Sequence, residues 1–82
     1  MNKKKMFAKI VNRQKNVKIN DFESVVEAFG FFRARGEGSH GIYIKANIAE
    51  FINLQNVNGK AKPYQIKQFL AIVEKYILSM ED

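Results

Sequence analysis

The sequence predicts a single α+β domain, a two-layer sandwich in which helices cover one face of a small antiparallel sheet. Two observations support this fold class. Apolar residues recur at helical spacing near both ends of the chain, and from residue 31 the pattern changes to the alternation typical of strands, interrupted by glycines. A chain of 82 residues is long enough for one compact domain and too short for two. The predicted order of elements is helix, helix, three strands, helix.

The first two elements are predicted to be helices. Four apolar residues of the first segment lie on one helical face: Met6, Phe7, Ile10 and Val11. They predict an amphipathic helix over residues 3–14. In the second segment, Asn20 followed three residues later by Glu23 resembles a capping box, and Gly30 suits the C-terminal cap. The second helix is therefore predicted over residues 21–29.

Three strands are predicted to follow. Residues 31–35 and 39–45 indicate two strands joined by a glycine-rich turn, and residues 51–54 indicate a third. Alternation puts Arg33 and Arg35 on one face of the first strand. In the second strand it separates two sets, unless a bulge at the glycines exchanges the faces. These sets are His40, Ile42 and Ile44 on one face, and Gly41, Tyr43 and Lys45 on the other.

The last helix is predicted after a polar loop over residues 55–62, which contains the turn signal Asn58-Gly59. Pro63 suits the first turn of a helix. The apolar stripe of this helix consists of Ile66, Phe69, Leu70, Val73, Tyr76 and Ile77.

The positive charge of the chain is concentrated at its N-terminus. Residues 1–18 contain seven basic residues and no acidic one, whereas residues 19–82 contain seven basic and eight acidic residues. Such a segment is attracted to a polyanion without reading its sequence. The alternatives are a solvated lysine face that aids solubility and, as a weaker option, contact with an anionic membrane.

Composition excludes several classes of site. The chain has no cysteine and one histidine, so neither a disulfide framework nor a metal site is predicted, and no cofactor is expected. Its longest apolar runs are far shorter than a membrane span, and no signal-peptide core is predicted. We expect a soluble cytoplasmic protein with no membrane partner and no small-molecule cofactor.

The most informative residue is His40, the only histidine, in the segment Gly38-Ser39-His40. An imidazole exchanges protons near physiological pH, and beside Arg33 and Arg35 it is suited to proton transfer next to a bound phosphate. The alternatives are a histidine that is partly exposed or held by a structural hydrogen bond and does no chemistry, and two arginines that form a solvated face of the sheet. Ser39 is expected either to orient the imidazole or to cap the turn.

Further candidates surround this segment in sequence. Lys60 and Lys62 precede a predicted helix N-terminus, which favours an anion, so they are predicted to contact phosphate unless they are solvated loop residues. Tyr43 and Tyr64 are candidates for stacking on an unpaired RNA base, or for packing in or beside the core.

Two motifs together resemble a known family. Without the first helix, the order α-β-β-β-α is that of double-stranded-RNA-binding domains. Within it, Gly30-Phe31, Arg35 and the run Gly38-Ser39-His40-Gly41-Ile42-Tyr43 resemble the signature of HicA toxins of prokaryotic toxin-antitoxin modules. A second block, residues 51–55 followed by residues 58–66, resembles the segment that leads into the final helix of longer members.

The resemblance implies an mRNA interferase of double-stranded-RNA-binding-like fold over residues 19–82, preceded by a basic helical extension over residues 1–18. It implies that His40 is the catalytic residue, that the substrate is messenger or other single-stranded RNA, and that a HicB-like antitoxin protein is the partner. Family members often have a second histidine where this chain has Gly41, and often His-Pro where it has Lys45-Ala46. The contributions of those histidines are missing here.

Chemistry also favours RNA, because its 2′-hydroxyl is a built-in nucleophile. His40 is predicted to take the proton of that hydroxyl, Arg35 to stabilise the phosphorane-like transition state, and water or Lys62 to protonate the leaving 5′-oxygen. The reverse assignment, with His40 as the acid, fits equally well. Two non-catalytic alternatives are an RNA-binding module and a decayed toxin that only docks an antitoxin.

Overall fold

The structure is a computed structural model that describes residues 2–38 and 40–81. Three helices and a three-stranded antiparallel sheet confirm the predicted α+β class and the predicted order of elements. The helices are α1 (Lys3–Asn12), α2 (Ile19–Ala28) and α3 (Pro63–Tyr76). The strands are β1 (Phe32–Arg35), β2 (His40–Ile44) and β3 (Ile52–Gln55), with β2 in the centre.

The start of α2 differs from the prediction of a capping box at Asn20. The helix begins at Ile19 with Lys18 at the N-cap, and no side chain caps it. The backbone around this point is instead held by the loop before α3: the Ile19 N–H donates to the Gly59 carbonyl at 2.9 Å, and the Ala61 N–H donates to the Val17 carbonyl at 2.9 Å. These bonds between segments distant in sequence fix where α2 begins, so the local capping prediction is wrong.

The end of α2 agrees with the prediction that Gly30 serves as the C-terminal cap. Gly30 adopts φ +94°, a conformation that favours glycine. Its N–H donates to the Glu27 carbonyl at 2.9 Å, and the Phe31 N–H donates to the Val26 carbonyl at 3.4 Å. This pair of bonds is a Schellman motif, which satisfies carbonyls at the end of the helix and turns the chain into β1.

The hydrophobic core lies between the helices and one face of the sheet. At its centre the Phe69 ring of α3 packs edge-on against three other rings. These are Phe22 at 5.6 Å, Phe29 at 5.4 Å and Phe31 at 6.0 Å between ring centroids. Helix α1 contributes Met6 and Ile10 to the same core, so the basic N-terminal helix packs on the domain.

None of the helices in the described part of the chain is long and apolar enough to cross a membrane.

Candidate functional site

The sheet presents one face to the helices and leaves the other open. In β2, Gly41 and Tyr43 are buried against the helices and pair with Leu54 and Ile52 of β3. Because side chains alternate along a strand, His40 at the first position of β2 lies on the opposite, open face together with Ile42. The predicted division of β2 into two faces is therefore confirmed.

The two arginines of β1 lie on different faces, so the prediction that they share one is wrong. Arg33 is opposite Tyr43, but Arg35 is opposite Ile42, because Ala34 is an extra residue that forms a bulge in the β1–β2 pairing. Arg33 therefore points toward the helix side and Arg35 toward the open face. Arg35 and His40 are diagonal neighbours across two strands, a relation that places side chains about 7–8 Å apart at their bases.

Arg33 holds the backbone of the candidate catalytic residue. Its Nη2 donates to the His40 carbonyl at 2.8 Å. The guanidinium covers Gly41, where an added Cβ would lie 3.2 Å from the Arg33 Cζ and 3.3 Å from the Tyr43 ring. A side chain at position 41 would therefore be in tight contact with both Arg33 and Tyr43.

Tyr43 is not available for the predicted base stacking. Its side chain is 3 % exposed and belongs to the hydrophobic core. Burial raises the pKa of its hydroxyl, and the nearby carboxylates of Glu23 and Glu27 raise it further, while Arg33 opposes them. The neutral phenol is thus favoured, as a buried ring requires. The stacking role assigned to Tyr43 is corrected to a packing role.

The imidazole of His40 faces solvent at the end of a glycine turn. The backbone N–H of His40 donates to the Glu37 carbonyl at 3.1 Å. The turn includes Gly36 at φ +132° and Gly38 at φ +59°. The cavity beside it measures only about 40 Å³. A substrate would therefore lie on the open face rather than in a pocket. Ser39 lies outside the described residues, so its predicted role stays a prediction.

The other predicted contacts lie on the loop before α3. The Lys60 Nζ donates to the Asn16 Oδ1 at 3.1 Å, and the Lys62 Nζ lies 5.8 Å from the centre of the Tyr64 ring. Tyr64 is 54 % exposed, so one face of its ring is open for stacking. Among the described residues, no hydrogen bond or ion pair joins either lysine to His40, and their phosphate-binding role stays a prediction.

Sequence reasoning missed two large exposed apolar side chains of the sheet region. Phe32 in β1 is 55 % exposed and Phe51, just before β3, is 59 % exposed. Phe32 is paired with Ile44 on the same face as Arg35. Alternation alone separates Phe32 from Arg33, but the bulge had to be known before Phe32 could be placed on the same face as Arg35.

Comparison with protein family models, curated proteins and solved structures gives no match to this chain. The fold class therefore rests on the structure, and a function must be argued from the residues of the site.

Proposed function

We propose that this protein is a metal-independent ribonuclease, an mRNA interferase of the HicA type, with His40 as its catalytic residue. The observation that supports this proposal best is the position of His40, which is solvent-exposed at the first residue of β2. Arg35 lies on the same open face, and Arg33 donates a hydrogen bond to the His40 carbonyl. A general acid or base and a phosphate-binding cation then lie side by side on an accessible surface. Such an enzyme would act on messenger RNA in the cytoplasm.

The finer fold that we propose is that of a double-stranded-RNA-binding domain. Elements α2, β1, β2, β3 and α3 follow in the required order, and the sheet order β1-β2-β3 is that of a simple antiparallel meander. Both helices contribute to the core on a single face of the sheet. Helix α1 is then an addition that packs on α2.

The reaction that fits these residues is an internal transesterification. His40 removes the proton from the ribose 2′-hydroxyl, the 2′-oxygen bonds to the adjacent phosphorus, and the bond from phosphorus to the 5′-oxygen breaks. The Arg35 guanidinium stabilises the charge that develops on the phosphoryl oxygens. The 5′-oxygen takes a proton from water or from Lys62, and the products end in a 2′,3′-cyclic phosphate and a 5′-hydroxyl.

The Arg33–Gly41 contact bears on the departure from the HicA pattern at position 41. A Cβ of a second histidine there would be in tight contact with the guanidinium, which would have to shift by a few tenths of an ångström. In this chain Arg33 supplies a permanent positive charge at that location and fixes the His40 backbone. We therefore propose that catalysis needs a single imidazole here.

The test is cleavage of a long single-stranded RNA in the presence of a chelator, with analysis of the product ends. Cyclic phosphate ends are expected from the intact protein and should disappear in His40→Ala. Asn53→Ala is the matched control, because Asn53 is exposed and pairs with Ile42 on the same open face. Equal cleavage by intact protein and His40→Ala would refute the catalytic role, and binding without cleavage would favour the RNA-binding module.

A second candidate function, docking of an antitoxin-like protein, is favoured by the exposed ring of Phe32 on the open face. A partner that covers the open face would cover both this ring and His40. Such a partner would therefore inhibit cleavage by occlusion. If the chain binds an antitoxin but never cleaves RNA, this docking role is its only one.

A further inference from the structure

A cleft lies between the end of α1 and the start of α2. It measures about 500 Å³. Four basic residues line it: Lys9, Arg13, Lys15 and Lys18. Asp21 is the only acidic residue among those that line it. More than half of the seven basic residues in the first eighteen positions are thus gathered around one concave surface.

The fold creates this arrangement. Lys9 lies in the last turn of α1 and Arg13 is the C-cap residue of that helix, while Lys15 and Lys18 come from the connection to α2. Lys60 adds a fifth cation at the rim, because its ammonium donates to Asn16, another residue of the cleft. Cations from three segments therefore surround the same space.

We propose that this cleft binds the sugar-phosphate backbone of single-stranded RNA and leads the strand to His40; the inference rests on the proposed function. Several fixed cations along a groove suit a chain of regularly spaced phosphates, which they neutralise with release of counterions. The cleft lies near the end of the sheet at which β2 begins with His40, because the first turns of α2 border both the cleft and the small cavity that His40 lines. Lys18 and Asp21 line the cleft, whereas Ile19 and Glu23 line the small cavity beside His40.

The structure disfavours a membrane as the occupant of this surface. Interfacial helices bind lipid by inserting an apolar face. In α1 that face is already used, since Met6 and Ile10 are buried in the core and the Phe7 ring packs 5.0 Å from the Phe29 ring. Four lysines are exposed on α1, whereas Val11 is the one large apolar side chain of this helix that is exposed, which leaves little apolar area for insertion.

The test compares two variants that lose the same charge from the same helix region. The cleft variant is Lys9→Gln/Arg13→Gln/Lys15→Gln. The control variant, Lys3→Gln/Lys4→Gln/Lys5→Gln, changes lysines that do not line the cleft. The probe is a fluorescent 2′-O-methyl oligouridine strand, which cannot be cleaved through its 2′-oxygen, so affinity is measured independently of catalysis. Circular dichroism and thermal unfolding establish that both variants remain folded.

Three lost phosphate contacts should reduce the slope of log affinity against log salt by about 2, so that between 50 and 200 mM salt the intact protein loses about 20-fold more affinity than the cleft variant. The control variant should retain the slope of the intact protein. Equal slopes for the two variants would overturn the inference. A cleft variant that binds RNA normally but no longer binds phosphatidylserine vesicles would also overturn it.

The failure of this inference differs from the failure of the proposed function. If the intact protein binds RNA through the cleft but cleaves none, the cleft assignment stands and the ribonuclease is refuted. If the cleft variant binds and cleaves like the intact protein, the ribonuclease stands and the cleft assignment is refuted. If the intact protein binds no RNA, both are refuted.

Discussion

Replacing Gly36 with alanine tests how the β1–β2 turn positions the candidate catalytic residue. Gly36 has φ +132°, a conformation that L side chains rarely adopt. A Cβ at this position would collide with the His40 carbonyl oxygen and would lie 2.7 Å from the Gly41 Cα. Both neighbours are backbone atoms, so they cannot move aside as the end of a side chain could.

The expected cost combines two effects. The disallowed backbone conformation costs about 1–3 kcal/mol. The collision adds to this, because relieving it requires shifting β2 where Arg33 and the β1 ladder hold it. Alanine also restricts the unfolded chain more than glycine does, and this effect offsets only about 0.4–1 kcal/mol of the loss. We expect Gly36→Ala to destabilise the domain by about 3 kcal/mol, against a total stability of about 4–12 kcal/mol for a chain of this length.

Gly38→Ala is the matched control, because it makes the same chemical change in the same turn. Gly38 has φ +59°, and no atom of the described residues lies within 4 Å of an added Cβ. The left-handed conformation costs alanine about 1–2 kcal/mol. The restriction of the unfolded chain offsets part of this cost, so the net loss of stability should be about 1 kcal/mol. Urea unfolding followed by circular dichroism gives both free energies of unfolding.

The position of His40 needs a separate measurement, since stability alone does not report on it. The imidazole signals in a proton–nitrogen correlation spectrum should shift in Gly36→Ala and remain nearly unchanged in Gly38→Ala. Equal losses of stability in the two variants, or unchanged imidazole signals in Gly36→Ala, would refute the argument that contact between Gly36 and the His40 backbone fixes this site.

Three further predictions concern stability. Ile77 ends α3 in the left-handed conformation at φ +51° and is 89 % exposed, so Ile77→Gly should stabilise the domain by about 0.5–1 kcal/mol, measured as a rise in Tm. Phe69 is fully buried among three other rings, and Phe69→Ala should cost about 3–5 kcal/mol in urea unfolding. A hydrogen bond from Lys75, and after it one from Tyr76, lowers the pKa of Glu50 to about 2. The pKa of an unfolded glutamate is about 4.3. Between the folded and the unfolded pKa the folded protein therefore binds fewer protons than the unfolded chain. The stability that Glu50 contributes is present above the unfolded pKa and is lost as the pH falls toward 2. Glu50→Gln should therefore flatten the acid-side loss of stability in unfolding curves recorded across this range.

Each of these three has a result that would contradict it. Ile77→Ala is the control for backbone conformation, since it removes the branched side chain but keeps a Cβ; a gain as large as that of Ile77→Gly would refute the role of φ. A loss below about 1 kcal/mol in Phe69→Ala would mean that the core collapses around the missing ring. For Glu50, an acid-side slope identical to that of the intact protein would show that the Lys75 contact does not persist in solution.

Prediction from sequence succeeded where the determining contacts are local. The sequence predicts Gly30 at the helix end because glycine adopts the positive φ of a Schellman motif at the lowest cost, and this preference depends on one residue. The alternation of β2 was assigned correctly because buried and exposed positions differ along five consecutive residues. The start of α2 was missed because its determinants, the bonds from Ile19 and Ala61, join segments separated by some forty positions.

The candidate site is also predictable only where its determinants are local in sequence. The exposure of His40 follows from its place at a strand start after a glycine turn. The burial of Tyr43 depends instead on which sheet face the helices cover, and the basic cleft depends on how α1 packs on α2; neither is encoded in local spacing. Charge counting found the basic residues of the N-terminus, but only the fold shows that Lys3 and Lys9 lie at different sites.

One inserted residue in β1 explains much of the chemistry available at the sheet. With strict alternation, Arg33 and Arg35 would both lie on the helix side of β1, and neither would share the face of His40. The bulge at Ala34 turns Arg35 to the open face while Arg33 remains to bind the His40 carbonyl. The same strand thus supplies Arg33, which binds the His40 backbone, and Arg35, which lies on the open face where we propose that it contacts a phosphate. A bulge beside the candidate catalytic residue is therefore a functional feature of the sheet in this proposal.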